Sequence, residues 1–98
     1  MRARKVDANH AEIVKTFRQL GCTVLDLSRV GQGCPDVLVG YRGVNLLVEI
    51  KDGKKPPSKR LLTPDENEFF CKWKGQVQVV TSQDDAIAMF QTETGRIA

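Results

Sequence analysis

The sequence is poor in the residues that build zinc sites and disulfide frameworks. It holds one histidine, His10, and three cysteines, Cys22, Cys34 and Cys71, in a chain of 98 residues. No two cysteines form a CxxC pair, and an odd count does not suit a disulfide framework. A Cys/His zinc site would need distant ligands without a pattern. We therefore expect buried, reduced thiols, as in a cytoplasmic protein.

Long hydrophobic runs are also missing. The apolar stretches are far too short to span a bilayer, and "MRARKVDANH" lacks the apolar segment of a signal peptide. These features predict an intracellular, cytoplasmic protein without a membrane span. The length predicts a single domain over residues 1–98, with a core of about 7–92 and a frayed tail.

Basic residues slightly outnumber acidic residues, and they are unevenly distributed along the chain. The net charge is +3, yet "KDGKKPPSKR" (51–60) carries five basic residues and one acidic residue. Such a loop suits a polyanion such as nucleic acid, although a solvated surface loop is the alternative. The candidates for contacts with DNA phosphates are Arg29, Lys54, Lys55, Lys59 and Arg60.

The hydrophobic pattern predicts an α/β protein with elements in the order αβββαβα. Strands are predicted over 22–28, 36–41, 45–51 and 76–80, and helices are predicted to begin at the caps Asp7, Thr63 and Ser82. The third strand, its crossing helix and the fourth strand predict a parallel pair with a right-handed crossover. We expect a mixed four-stranded sheet flanked by helices.

Two segments around the second helix carry separate expectations. Residues 52–60 hold two prolines and a glycine, so we expect an irregular, mobile loop.

Phe69, Phe70 and Trp73 recur at helical spacing in the helix that follows. Helical spacing favours core packing for these rings, with stacking on nucleic-acid bases as the alternative.

Three charged residues terminate otherwise apolar strands. Asp36 opens one strand, and Glu49 and Lys51 close the next, although burying an unpaired charge costs several kcal/mol. A turn centred on Arg42-Gly43 places Asp36 directly opposite Glu49, with Cβ atoms about 4.5–5.5 Å apart. A loop of odd length would shift the register by one residue and separate the two acids.

Facing carboxylates repel each other unless one is protonated or a cation lies between them. Mg²⁺ prefers oxygen ligands, usually one or two carboxylates with waters, and Lys51 on the same face suits a phosphate oxygen. These parts could hydrolyse a phosphodiester, with the metal as Lewis acid and nucleophile generator and the lysine as charge stabiliser. The alternative is a salt-bridge cluster at the end of a sheet.

At these residues the chain resembles a known superfamily. Pro35-Asp36, twelve intervening residues and Glu49-Ile50-Lys51 resemble the PD-(D/E)XK nuclease signature. The wider pattern, from "NHAEIVKTF" to "VVTSQDDAI", resembles the VRR-NUC branch, particularly its small stand-alone, phage-borne members. The resemblance runs from about Asp7 to Phe90.

The resemblance implies a restriction-endonuclease-like core and cleavage of DNA that depends on Mg²⁺ or Mn²⁺. It further implies a preference for branched DNA such as Holliday junctions, and a homodimer. An alternative is a DNA-binding module that keeps the fold without chemistry, and a third is a small protein-interaction domain. The interaction domain predicts no salt-sensitive DNA binding, whereas the binding module shows that sensitivity without the metal.

The resemblance also assigns roles to individual residues. Asp36 and Glu49 would bind the metal with the backbone carbonyl of Ile50, and Lys51 would position or activate the attacking water. Glu12, within "AEIV", would complete the acidic site, directly or through a water. Asn67 stands where the family commonly has glutamine, and it offers the same amide on a shorter arm.

Overall fold

The computed structural model describes residues 6–90, so the predicted frayed tail lies outside the described residues. The elements are α1 (His10–Gln19), β1 (Thr23–Asp26), β2 (Val37–Tyr41), β3 (Val44–Ile50), a 3₁₀ helix (Pro57–Lys59), α2 (Pro64–Lys72), β4 (Val77–Val80) and α3 (Gln83–Ala88). The predicted order of helices and strands is confirmed.

The sheet is mixed, with the spatial order β1-β2-β3-β4. The first three strands pair antiparallel, and β3 pairs with β4 in parallel, which confirms the predicted parallel pair. In the β2–β3 hairpin Tyr41 faces Val44, and Arg42 and Gly43 both have positive φ, of 50° and 79°. Positive φ at both central residues is typical of tight hairpins, whose twist matches that of the strands. The predicted register is therefore confirmed.

The hydrophobic core lies on one face of the sheet. Alternate strand residues point to this face because side chains alternate along a strand. They pack against one side of α1 and of α3. The core comprises Ile13, Phe17, Cys22, Val37, Val39, Leu46, Val48, Ile50, Val80, Ala86 and Met89.

The opposite face carries the charged ends of the strands and the start of α2. Thr63 caps α2 and Glu66 completes the capping box, as predicted. Glu66 is nevertheless the one buried residue of α2. The expected core packing of the aromatic residues is wrong, because Phe69 and Phe70 are half-buried and Trp73 is 47% exposed.

The start of α1 differs from the prediction. The helix begins at His10, with Asn9 at the N-cap position, and Asp7 contributes its backbone carbonyl to the His10 N–H. The Asn9 side chain donates hydrogen bonds of 3.1 and 3.2 Å to the carbonyls of Lys51 and Thr81. Asn9 therefore ties the start of α1 to the ends of β3 and β4, which is a contact between distant segments that a local capping pattern does not reveal.

The basic loop is more regular than expected. Pro57–Lys59 forms a 3₁₀ helix, for which the fixed φ of a leading proline is favourable. Its end is held by Arg60, whose Nε donates a hydrogen bond of 2.8 Å to the carbonyl of Lys55. The prediction of wholly irregular structure over 52–60 is wrong, because the two prolines restrict this segment and the arginine closes it.

Only one of the three cysteines is buried in the structure. Cys22 belongs to the core, Cys34 is half-buried and Cys71 is exposed on α2. The expectation of buried thiols therefore fails for Cys71, because α2 turns that side of the helix to solvent. Within residues 6–90, no helix has the length and apolar character needed to cross a membrane.

Candidate active site

The hairpin register brings Asp36 and Glu49 together on the face opposite the core. Val37 pairs with Val48, so the next positions outward are Asp36 and Glu49, which are 4% and 2% exposed. Asp36 Oδ2 accepts a hydrogen bond of 2.7 Å from the N–H of Ile50. The carboxylate thus continues the ladder of hydrogen bonds between β2 and β3, which fixes its position beside Glu49.

Lys51 follows directly on the same strand face and is 9% exposed. Its Nζ lies 3.4 Å from Glu49 Oε2 and 2.7 Å from Glu66 Oε1. Burial alone lowers the pKa of Lys51, but the hydrogen bond to Glu66 and the charge of Glu49 outweigh it, so the pKa is raised. The side chain is therefore held as a charged ammonium between two carboxylates.

Glu66 is the residue of this cluster that the sequence did not assign to the site. It is 5% exposed, and its Oε1 accepts hydrogen bonds from Lys51 Nζ and from the N–H of Thr63, at 2.7 and 2.9 Å. Burial raises the pKa of Glu66, yet the hydrogen bonds that it accepts from Lys51 and Thr63 outweigh this effect, so the pKa is lowered. In the sequence, the capping box fully accounted for this glutamate, so no pattern indicated a second role.

The glycine-rich turn before Asp36 holds the start of α2 in place. Gly33 has φ +77°, and a β carbon there would overlap the backbone carbonyl of Asp65 and lie 2.9 Å from the nitrogen of Glu66. Only a residue without a side chain allows this approach. The segment that leads into Asp36 is therefore in direct contact with the helix turn that presents Glu66.

Glu12 and Asn67 do not belong to the buried cluster, because both residues are exposed. Glu12 is exposed on α1 and lines a cavity of about 540 Å³. The other residues around this cavity are Ala8, Asn9, Ile13, Asp52, Gly53, Lys54 and Thr81–Asp84. Asn67 is exposed on α2, and its backbone N–H donates to the Thr63 carbonyl at 2.8 Å. On α2 it is Glu66, rather than Asn67, that contacts Lys51.

The basic residues form a surface that begins directly after Lys51. Lys54, Lys55 and Lys59 are exposed, whereas Arg60 is half-buried. Lys55 Nζ lies 3.4 Å from Asp7 Oδ1, so part of its charge is offset. The fifth basic candidate, Arg29, is exposed in the turn after β1.

The donor set at the end of β3 fits a hard divalent cation. Within residues 6–90 no three His, Cys, Asp or Glu side chains are arranged to hold a metal ion by themselves. Mg²⁺ commonly takes one or two carboxylates and completes its shell with water. Asp36 and Glu49 supply two such oxygen-bearing side chains, buried side by side on one face of the sheet.

Comparison with solved structures assigns the family. A structure described as a VRR_NUC domain matches this chain with 32% sequence identity and a TM-score of 0.60, over 86% of this chain and 91% of the other. The chain belongs to the VRR-NUC family. Its mixed sheet and flanking helices form the restriction-endonuclease-like fold that the resemblance implied. No family model matches the VRR-NUC chain, and no curated protein matches it either.

Proposed function

We propose that this VRR-NUC protein is a metal-dependent DNA endonuclease centred on Asp36, Glu49 and Lys51. The observation that carries the proposal is the burial of these three charged side chains together at the end of β3. Their burial is costly unless their charges are offset, and a structural core of this size would gain more from apolar residues. Membership of a family named for a nuclease, and the adjoining basic surface, support the same function.

The ion would be held by the carboxylates of Asp36 and Glu49 and the backbone carbonyl of Ile50, with Glu12 acting through a water. Mg²⁺ or Mn²⁺ at this position supplies Lewis-acid stabilisation of negative charge on a phosphodiester. The hydrogen bond from the Ile50 N–H keeps the Asp36 carboxylate oriented before any ion arrives. Preorganised ligands of this kind avoid the cost of reorganisation during the reaction.

Lys51 supplies the cationic donor of the proposed site. An ammonium offers three hydrogen-bond donors, and Glu66 and Glu49 hold it at 2.7 and 3.4 Å. A donor held in this way can bind a non-bridging phosphate oxygen or orient the attacking water. Glu66 is a positioning residue in this scheme, because it acts on the reaction through Lys51.

The substrate that we propose is branched DNA, such as a Holliday junction or a flap. Lys54, Lys55, Lys59 and Arg60 would bind its phosphates, and Arg29 would add a further contact. A single domain offers few contacts for a four-way junction, so we propose a homodimer, as the resemblance to small stand-alone, phage-borne members also implies.

The test is a cleavage panel with labelled linear duplex, flap and four-way-junction DNA. Each substrate is incubated with Mg²⁺, Mn²⁺ or EDTA, in parallel with a Glu49→Ala/Lys51→Ala double variant. We expect cuts near the branch point that require the metal and are absent with the variant. Cuts confined to linear duplex would support the nuclease activity but contradict the preference for branched DNA.

A DNA-binding module without chemistry is the second candidate. It is favoured by one observation, because Lys51 is already paired with two carboxylates, as in a closed salt-bridge cluster. This candidate predicts salt-sensitive binding of the same DNA in EDTA, without cleavage under either metal. That result in the cleavage panel would contradict the nuclease activity and support the DNA-binding module.

A further inference from the structure

Helix α2 presents a stacked pair of aromatic rings at its surface. The ring centroids of Phe69 and Trp73 are 5.0 Å apart, and their planes differ by 16°. The indole also packs close to Gly75, where a β carbon would lie 2.9 Å from Nε1. Trp73 is nevertheless 47% exposed. The rings are therefore ordered by their neighbours and still accessible to a flat ligand.

A cleft of about 380 Å³ opens beside these rings, within the range of about 300–1,000 Å³ that is typical of ligand pockets. Its walls combine an aromatic surface with side chains that donate and accept hydrogen bonds. The lining residues are Gln32, Asp65, Glu68, Phe69, Lys72 and Trp73. This combination suits a planar, polar ring.

Both walls of the cleft lead directly into the candidate active site. Gln32 belongs to the turn that reaches Asp36 four residues later. Phe69 follows Glu66 by three residues, which is about 4.5 Å along a helix axis. Because Gly33 packs on Asp65, the two walls are fixed against each other. A nucleotide next to one held at Lys51 would lie within reach of this cleft.

The charges of the cleft favour a base over a phosphate. Asp65 and Glu68 are carboxylates, which repel phosphate but accept hydrogen bonds from base amino groups, such as N4 of cytosine. Lys72 does not reverse this preference, because its Nζ lies 3.3 Å from Glu68 Oε1. The basic surface that suits the DNA backbone lies in a different segment, residues 54–60.

We propose that this cleft binds an unpaired nucleobase of the DNA, stacked on the exposed surface of Trp73, while Phe69 supports the indole from its other side. The preferred substrate would then carry an unpaired nucleotide beside the bond that is cleaved. The inference rests on the proposed function only for DNA as the ligand, and it can be tested without cleavage. A second copy of the chain is the competing occupant, but the carboxylates of Asp65 and Glu68 suit a base edge better than an apolar dimer contact.

Trp73 is the sole tryptophan of the chain, so its fluorescence reports on the cleft directly. The wild-type protein is titrated, with Ca²⁺ in place of Mg²⁺, against duplex DNA carrying a single-stranded flap. The matched probe has the same phosphates but abasic sites along the flap. We expect quenching of Trp73 by the base-bearing flap alone, and about tenfold tighter binding of that flap than of the abasic one.

Variants separate stacking from other causes. Trp73→Leu and Phe69→Leu should each reduce the preference for the base-bearing flap, whereas Leu61→Ala, at another exposed apolar residue, should keep it. Equal affinity of the wild type for both flaps would overturn the inference. A Trp73→Leu protein that changes from dimer to monomer, with wild-type emission that depends on protein concentration without DNA, would assign the cleft to a second copy instead.

The cleavage result is independent of these outcomes. A protein that prefers the base-bearing flap but cuts nothing in Mg²⁺ or Mn²⁺ would retain the base site and lose the proposed nuclease activity. A protein that cuts base-bearing and abasic flaps equally, with equal affinity for both, would retain the nuclease and lose the base site.

Discussion

The ammonium of Lys51 donates a hydrogen bond of 2.7 Å to Oε1 of Glu66, and the same oxygen accepts the N–H of Thr63 at 2.9 Å. One carboxylate thus completes the capping box of α2 and is the partner of the candidate catalytic lysine. Because Glu66 is the buried residue of α2, this contact joins the helix to the charged face of the sheet. The position of α2 and the orientation of Lys51 are therefore coupled.

Replacing Glu66 should affect stability and cleavage together. Glu66→Ala removes the capping box and leaves the buried ammonium short of an acceptor, so we expect a loss of about 2 kcal/mol in the free energy of unfolding. Single-turnover cleavage should fall by about tenfold or more, as expected when about 1.4 kcal/mol of transition-state stabilisation is lost. Glu66→Gln, which keeps an acceptor oxygen, should retain more of both. Urea unfolding and single-turnover kinetics measure the two effects.

Asn67→Ala is the comparison that tests the assignment. Asn67 is exposed on the same helix, and we expect near-wild-type stability and cleavage. Impaired cleavage by Asn67→Ala, together with normal cleavage by Glu66→Ala, would assign the positioning of Lys51 to Asn67. It would contradict that role for Glu66.

The contact between Gly33 and α2 gives a matched pair of glycine substitutions. Gly33 and Gly31 have similar positive φ, +77° and +80°, so alanine at either pays a similar backbone cost. At Gly33 the β carbon also meets the backbone of Asp65, whereas nothing lies within 4 Å at Gly31. We expect Gly33→Ala to destabilise the protein by at least about 1 kcal/mol more than Gly31→Ala in urea unfolding. Equal losses would show that the turn does not support α2 as described.

Binding of a divalent cation should stabilise the folded protein. A ligand present at about 100 times its Kd adds about 2.7 kcal/mol to the free energy of unfolding, so Mg²⁺ should raise the Tm measurably. Glu49→Gln and Asp36→Asn should each reduce this rise, because each removes a proposed oxygen ligand. Asp26→Asn, at an exposed acid that pairs with Val37 on the opposite face of the sheet and lies near His10, should leave it unchanged. A rise that survives Glu49→Gln would locate the cation elsewhere.

The basic surface should contribute to DNA binding through release of counterions. Each phosphate contact adds about 0.9 to the slope of log K against log salt concentration, so Lys54→Gln/Lys59→Gln should lower that slope by about 2. Lys15→Gln, on the exposed side of α1, should leave the slope as it is. Fluorescence anisotropy at several salt concentrations measures the slope, and an unchanged slope in the double variant would exclude this surface from the interface.

The thiols should differ in reactivity according to their burial. Cys22 is buried, and its burial raises the pKa of the thiol, so little thiolate forms at moderately alkaline pH. Cys71 is exposed and should react with iodoacetamide much faster, as mass spectrometry of the peptides would show. Comparable rates for the two thiols in the folded protein would contradict the position of Cys22 in the core.

The sequence predicted the hairpin and its charged face because local rules govern both. The Arg42-Gly43 turn set the register, and alternation then placed Asp36 and Glu49 on one face. The roles of Asn9 and Glu66 were not predicted, because they depend on contacts with residues far along the chain. Asn9 contacts Lys51 and Thr81, and Glu66 contacts Lys51. The capping box already accounted for Glu66, and no local pattern indicated the contacts of Asn9.

The aromatic residues of α2 show the limit of reasoning from periodicity. Their spacing indicates an apolar side of a helix, but it does not say whether another part of the same chain covers that side. In this fold the first turn of α2 meets the sheet through Glu66, while Phe69 and Trp73 continue past it toward solvent. The sequence therefore predicted the helix and its capping box, but it did not predict that the aromatic rings are partly exposed.

The metal-dependent site is tested most directly by comparing the wild-type protein with Asp36→Asn and Glu49→Gln on labelled flap DNA, in Mg²⁺ and in EDTA. Circular dichroism of each variant establishes that the fold is kept. We expect the wild type to cleave the flap in Mg²⁺ but not in EDTA, and both variants to lose cleavage. Cleavage that persists in the folded Glu49→Gln protein, or that proceeds in EDTA, would contradict a metal-dependent site at the end of β3.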